Sequence, residues 1–392
     1  EALEAIRACP TTIESIAKAF ELYAERPCLA ERAFEVTNAG IRLLPTFRKV
    51  RFAEVWARIE AFASGLVHEK LASPGTFIGI CGFGSVDWVV ADFSCVHLAA
   101  VAVPLQSGMN AADLQEIVRE AEIACLVCSL EQLELVESVL PECPSVRSIV
   151  VMDLREGDRA GEAKVAERQT ALLELHGGRL SVHTMREIEA SGSERGIVPK
   201  VMPWARGEAD PLMTLMYTSG STGTPKGAMI TERLLNAQWH GGFFTSLLKI
   251  VPDFPMITVN YMPLNHAAGR GMIQHSIVGG GTTYFVAKSD MSTLFEDIRL
   301  ARPTSLLLVP RVAGMIHQHF QSEVVRRAAG RSAEERAAIA AQVMTEMRSS
   351  FLGDRMLLAM TGSAPTPPEV VSFIEQCFEI PVLDGYGSTE AG

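Results

Sequence analysis

The sequence predicts an α/β protein in which two helix-covered, mainly parallel sheets pack together, and three observations carry that prediction. From Phe77 onward short apolar runs alternate with amphipathic helical segments, the pattern of a parallel sheet with helices on both faces. The same alternation resumes after residue 256, and two sheets accommodate it better than one. A chain of 392 residues that is 48% apolar also has the material for a large core in more than one unit.

Taken in order, residues 13–25 carry helical spacing, the stretch around Pro27, Gly40 and Pro45 reads as irregular, and 52–66 reads as a second helix. Strands are expected at Phe77–Cys81, 101–104, 125–128 and 149–152, with helices near 86–98, 113–120 and 131–139. Residues 154–182 are polar and weakly periodic outside 166–175, so they read as an exposed excursion. A buried strand at 212–217, a polar loop, a returning strand at 228–230 and a helix at 232–248 follow. The second alternating set runs as strand 257–262, helix 271–278, strand 282–286, helix 292–300 and strand 306–309. Helices at 311–328 and 333–350 come next, the second announced by Ser332 with Glu335 three residues on. Strand 356–360, helix 367–378 and strand 382–384 complete the series. The units are expected at 72–235 and at 1–71 with 236–392, and no internal repeat is visible.

A net charge of −11 argues against general binding to nucleic acid or anionic membrane, so any anion site has to be built locally. Apolar runs are interrupted well short of the roughly 20 residues a bilayer span needs, and no basic region followed by an apolar one opens the chain. A cytoplasmic protein is expected. The eight cysteines are dispersed among apolar neighbours, which suits reduced core thiols. Cys125 and Cys128 have redox or half-zinc spacing but lie in a strand-like run with no second pair, and a structural role is expected.

The chemistry-bearing stretch is Thr214 to Ile230. After the apolar strand, Thr218, Ser219, Gly220, Ser221, Thr222, Gly223 and Thr224 form an unbroken Gly/Ser/Thr run, followed by Pro225 and Lys226. Glycines let backbone N–H groups converge on phosphate oxygens, the hydroxyls add donors, and Lys226 adds a mobile positive charge. A mobile surface loop is the alternative that composition alone allows. Lys226 is followed by Gly227-Ala228-Met229-Ile230, not by Ser or Thr opening a helix, so this is not a Walker A loop.

Three further segments leave strands and enter loops. His266, after Tyr261-Met262-Pro263, falls at the carboxyl edge of a sheet, where open α/β sheets bind ligands, although a lone His is by itself more often structural. Arg270 suits a second anion contact or a surface or helix-cap role. Gly362, Ser363, Ala364 and Pro365 are small enough for a flat ring to lie against backbone, with a helix N-terminus beyond, although this motif alone favours a simple turn into a helix. In the last segment, Asp384, Gly385, Tyr386 and Gly387 lead to Thr389 and Glu390: an aromatic face, a hydroxyl for phosphate and a carboxylate suited to Mg²⁺, with Asp384 orienting the loop. His317 and His319 lie two apart on an expected helix and point away from each other, so no metal site is read there.

Together, the loop from Thr218 to Lys226, the Pro263-to-His266 segment, Gly362 to Pro365 and Tyr386-Gly387-Ser388-Thr389-Glu390 resemble the signature segments of the adenylate-forming superfamily, which holds acyl-CoA synthetases, luciferases and adenylation domains. The resemblance implies that the first loop clamps the β- and γ-phosphates of ATP and that His266 lines the carboxylate pocket near the α-phosphate. It further implies that Gly362 to Pro365 helps form the adenine and acyl pocket, that Tyr386 stacks on adenine, that Thr389 contacts the α-phosphate and that Glu390 holds Mg²⁺. On that reading His266, Lys226, Thr389 and Glu390 carry catalysis.

The run from Gly281 to Asp297, with Arg302-Pro303-Thr304, Val309-Pro310-Arg311, Tyr23 to Pro27 and Ala102 to Gln106, is most similar to the adenylation domain of carboxylic acid reductases. Asn265 departs from that pattern, where a Ser is expected before the His. The implied activity is activation of an aromatic or fatty carboxylic acid by ATP. Transfer to a carrier-protein phosphopantetheine thiol and reduction with NADPH would then follow in domains absent from this chain. No carrier-protein Ser motif or Rossmann-type Gly pattern is present, and the small lid domain expected after the Thr-Glu motif is absent, so the chain reads as an incomplete adenylation domain. A fatty-acyl or aryl CoA ligase, with CoA as acceptor, and a non-catalytic nucleotide-binding fragment are the other readings.

Overall fold

The computed structural model describes residues 1–37, 40–175, 178–219, 225–241 and 256–387. In chain order the N-terminal part contributes α1 (Ala2–Arg7), α2 (Thr12–Leu22), β1 (Pro27–Thr37), β2 (Gly40–Arg51) and α3 (Phe52–His68). Next come β3 (Phe77–Cys81), α4 (Val86–His97), β4 (Val101–Leu105), α5 (Ala111–Glu120), β5 (Cys125–Ser129), α6 (Leu133–Val139), β6 (Ser148–Met152), α7 (Arg159–Leu175), β7 (Ser181–Thr184) and α8 (Met185–Arg195). The chain continues through β8 (Leu212–Ser219), β9 (Pro225–Thr231), α9 (Glu232–His240), β10 (Ile257–Asn260), α10 (Ala267–Val278), β11 (Thr282–Phe285), α11 (Leu294–Ala301) and β12 (Ser305–Leu308). The last elements are α12 (Pro310–Arg327), α13 (Ala333–Ser350), β13 (Leu358–Thr361), α14 (Pro368–Phe378) and β14 (Val382–Asp384).

Seven strands form one sheet in the order β7-β6-β5-β3-β4-β8-β9, all parallel except β9, which returns antiparallel to β8. The second sheet is divided into two ladders, β10-β11-β1-β2 and β12-β13-β14. These meet where the Thr304 amide, just before β12, donates to Ile257 O at 2.8 Å. The fold is α/β, and its apolar side chains fall into layers. One core packs α5, α6 and α7 on the outer face of the seven-stranded sheet, through Leu114, Leu133 and Val165. A second fills the space between the sheets with the aromatic side chains Phe20, Phe52, Phe62, Trp88, Phe93 and Trp239. A third lies between the divided sheet and its outer helices, around Ile298, Ile316 and Phe373.

Two expectations are corrected. Residues 27–51 are a long antiparallel strand pair instead of an irregular stretch, and β1 also pairs in parallel with β11. Register shifts within β1, between Pro27 and Leu29 and between Arg32 and Phe34, break the period-two alternation that would have announced a strand. β2 is an edge strand whose Pro45 and charged side chains suit a sheet margin. Residues 154–182 are likewise not a plain exposed excursion: α7 buries Val165 and Leu172, and β7 extends the sheet beside β6.

The Cys125 and Cys128 thiols are both buried, on opposite faces of β5, so they belong to different cores and do not face a common ligand. His317 stacks on Phe373 and His319 packs on Phe351, which gives both rings packing roles. Among the described residues no helix is long and apolar enough to cross a membrane, and no group of three or more His, Cys, Asp or Glu is arranged to hold a metal ion.

Candidate active site

The four segments singled out in the sequence emerge from strand ends. β8 and β9 form a hairpin that sets Thr218 opposite Lys226 and Ser219 opposite Pro225, and Thr218 Oγ1 donates to Lys226 O at 3.5 Å. β8 runs parallel to β4, so the loop carried by this hairpin leaves the carboxyl edge of the seven-stranded sheet. Lys226 is exposed, its ammonium free of the core. Gly220, Ser221, Thr222, Gly223 and Thr224 lie outside the described residues, as do Thr389 and Glu390.

His266 is the N-cap of α10. Its Nδ1 accepts the Ala268 amide at 3.2 Å, which puts the proton of the neutral ring on Nε2 and leaves that nitrogen as a donor on an exposed side chain. The approach to this cap is tightly built. A Cβ on Gly269 would lie 2.4 Å from Pro263 O, so only glycine fits, and Asn260 Nδ2 donates to Gly269 O at 2.8 Å. The Tyr261 hydroxyl donates to Leu307 O at 2.5 Å and accepts the Val309 amide at 3.1 Å, which fixes the His266 segment to β12. Burial pushes the Tyr261 phenol up, so it stays protonated and keeps donating.

Beyond β13 and β14 two loops lie against each other. The Gly385 amide donates to Thr361 O at 2.8 Å, and a Cβ on Gly362 would stand 2.7 Å from Gly385 O. Ser363 adopts the left-handed region, with φ of 69°, and Thr361 and Thr366 share a hydroxyl–hydroxyl hydrogen bond across the turn. Asp384 is exposed at the end of β14, and the Tyr386 ring is fully exposed just past it. Beneath these loops Met256, Met272, Leu307 and Leu358 form a separate apolar cluster, edged by Met262, Met360 and Leu383, at the seam between α10 and the three-stranded ladder.

Sequence reasoning missed the connection between these parts. Arg270 is not a surface residue, and the anion it contacts belongs to the protein itself. Its Nη2 donates to both Asp92 carboxylate oxygens at 2.8 Å, with both side chains almost wholly buried, and lies 3.5 Å from Thr214 Oγ1. One guanidinium thus ties the helix capped by His266 to α4 and to the strand that carries the Thr218 loop. Burial raises the Asp92 carboxyl above its ordinary range despite the opposing pull of Arg270. The available signal was Asp92 itself, a carboxylate set between apolar Val89, Val90, Ala91 and Phe93 in the helix Val86–His97, which required a buried partner.

A family whose description is AMP-binding enzyme matches residues 24–392 of this sequence. The chain belongs to that family. Among AMP-binding relatives, the carboxylic acid reductase of Segniliparus rugosus is 42% identical over 382 residues, covering 94% of this chain and 32% of the relative. A solved structure of the A domain of a carboxylic acid reductase from the same organism, in complex with AMP and a co-purified carboxylic acid, superposes with a TM-score of 0.89 at 38% identity, covering 99% of this chain and 62% of that one. Long-chain-fatty-acid–CoA ligase 6 of Rattus norvegicus is 27% identical over 373 residues, covering 88% of this chain and 50% of the ligase. The chain thus spans about a third of the length of the reductase it matches.

Proposed function

We propose that this chain activates a carboxylic acid with ATP, forming an acyl adenylate and releasing pyrophosphate. The observation that carries the proposal is the packing of Gly362 against Gly385: two strand-end loops are held so close that a single added Cβ would separate them, leaving a backbone surface beside the exposed Tyr386 ring. That surface suits a flat purine, and the apolar methionine and leucine cluster below suits the body of an acid. Support also comes from the likeness to a reductase domain whose structure holds AMP and a carboxylic acid.

In this reading the bond that forms joins a carboxylate oxygen to the α-phosphorus, and the bond that breaks frees pyrophosphate. Lys226 and the segment Thr218, Ser219, Gly220, Ser221, Thr222, Gly223 and Thr224 hold the departing phosphates. His266 presents Nε2–H to the acid, so its contribution is to orient and to stabilise negative charge. Gly362, Ser363, Ala364, Pro365, Asp384, Gly385, Tyr386 and Gly387 bind the nucleoside, and Thr389 contacts the α-phosphate. Glu390 would hold Mg²⁺, which supplies neutralisation of phosphate charge when bound. Residues 72–235 form one unit and residues 1–71 with 236–392 the other, and the site lies at their junction. The acyl group then passes to a carrier-protein phosphopantetheine thiol and is reduced with NADPH by other domains of a carboxylic acid reductase in the cytoplasm. Identity of 42% to a reductase against 27% to a CoA ligase favours the carrier over CoA.

Acid-dependent ATP–pyrophosphate exchange tests the proposal, with benzoate and medium-chain fatty acids compared in the presence of Mg²⁺. Exchange that disappears in Lys226→Ala and in His266→Ala is the expected result. ATP binding without exchange for any acid would sink the reading and leave a nucleotide-binding module.

A further inference from the structure

In the adenylation reading the acid is held by His266 on α10, and the phosphates by the loop between β8 and β9. In-line attack requires these two parts to keep a fixed distance and direction, because a misplacement of about 1 Å costs about 100-fold in rate. The two parts come from different sheets. α10 follows β10 of the divided sheet, whereas β8 belongs to the seven-stranded one. What they share is the core between the sheets, where Ile273 and Ile277 of α10, Met213 and Met216 of β8, and Val89 and Phe93 of α4 lie in one apolar cluster. Apolar contact is non-directional, so it resists separation better than it resists sliding or rotation.

Arg270 adds direction at this junction. It lies one helical turn after His266, and its amide donates to His266 O at 3.3 Å. Its Nη2 donates to both Asp92 carboxylate oxygens on α4 and stands 3.5 Å from Thr214 Oγ1 on β8. With a helical rise of about 1.5 Å per residue, the guanidinium's helix position is about 6 Å from His266 along α10. Thr214 precedes Thr218 on the same strand, and a rise of about 3.3 Å per residue places the two about 13 Å apart. A tilt of about 10° of α10 about this point would therefore carry His266 about 1 Å from its place, and the same tilt of β8 would carry Thr218 about 2 Å. Errors of that size exceed the roughly 0.5 Å within which a working site must be held.

Stability alone does not account for the arrangement. Both ions are removed from water, the Arg270 Nε has no hydrogen-bond partner among the described residues, and a matched apolar pair holds such a position as well or better. An apolar pair, however, has no preferred angle. The hydrogen-bonded pair has one, because the planar guanidinium carries its donors in a fixed fork and meets the two carboxylate oxygens in a narrow range of orientations. Resting on the adenylation reading, we propose that Arg270 is a positioning residue. Through Asp92 and Thr214 it sets His266 in register with the strand end that carries the phosphate loop, and it touches neither substrate.

Steady-state ATP–pyrophosphate exchange, with ATP and acid varied in turn, tests this on the chain carrying Arg270→Met together with Asp92→Leu, in which the matched apolar pair restores the fold. The expected result is a kcat about tenfold or more below the parent, with KM for ATP and for the acid each within about threefold of it. A merely structural role would instead return the parent's kcat once the melting temperature is recovered. Arg270→Lys serves where the double variant does not fold: it keeps a charge facing Asp92 but has a shorter reach and no planar fork, and the same loss of kcat at little-changed KM is expected. Parental kcat in a folded variant, or a loss carried mainly by KM, would overturn the proposal. Absence of exchange from the parent with every acid would remove the adenylation reading and this proposal with it, a result distinct from exchange that survives in the variants.

Discussion

Replacing Arg270 by Met keeps much of the side-chain volume and removes the charge that faces Asp92. Both partners are more than nine-tenths buried and the bond is made to both carboxylate oxygens, so the substitution leaves Asp92 as an unpaired interior charge. Breaking a buried pair from one side costs about 3–5 kcal/mol, a large part of the roughly 5–15 kcal/mol by which a domain is stable. An unfolding entropy of about 2.1 cal/mol/K per residue over 392 residues is about 0.8 kcal/mol/K, so the melting temperature should fall by about 4–6 °C if the chain unfolds as one unit. The sign of the pH dependence follows from Asp92. Its folded-state carboxyl is raised by burial, so the folded chain holds that proton more tightly than the unfolded one. Stability from this group is therefore fully present below the unfolded carboxylate range and is lost as pH rises through the folded value. Removing Arg270 raises that value further, so the gap between variant and parent should be small near pH 5 and widest near pH 8. Urea melts at both pH values measure it. Arg270→Met combined with Asp92→Leu should recover most of the loss, since a matched apolar pair removes the stranded charge. A single variant costing under about 1 kcal/mol at pH 8, or a double variant less stable than the single, would refute the reasoning.

Three further outcomes are expected. His266→Ala should lose about 1 kcal/mol of stability with its cap as well as exchange activity, whereas His266→Asn should keep the cap and lose only activity; paired melts and exchange assays separate the two. Gly192→Ala should destabilise far more than an ordinary helix substitution, because its Cβ would lie 1.9 Å from Ala61 O where α8 crosses α3, and a thermal melt reads this directly. Iodoacetamide at pH 8 should leave the buried thiols of the native chain unlabelled by mass spectrometry, with any early modification confined to Cys9; burial pushes Cys81 up to about 12 and Cys125 up to about 11.

Legibility in the sequence followed the strength of each local signal. The strands at Phe77–Cys81 and Cys125–Ser129 are unbroken apolar runs because both faces of the sheet are covered, so composition alone exposes them. The Ser332 capping box was equally visible, and the structure has both of its hydrogen bonds. β1 was hidden because its register shifts move side chains between faces, and β2 because an edge strand tolerates charge and Pro45. α7 was obscured because it buries little beyond Val165 and Leu172, while Leu173 and Leu175 face solvent.

The sequence by itself determined which residues stand at strand ends. Thr218, His266, Gly362 and Gly385 each follow an apolar run and precede a polar or glycine-containing turn, a local pattern that needs no knowledge of distant contacts. Only the tertiary structure decided which of those ends meet. Gly362 and Gly385 approach because β13 and β14 are neighbours, Tyr261 reaches β12 across the seam, and Arg270 finds Asp92, 178 residues away in sequence, at the centre of the molecule. Such pairings depend on sheet order and on the cost of leaving a buried charge without a partner, and neither is written within any one segment of the chain.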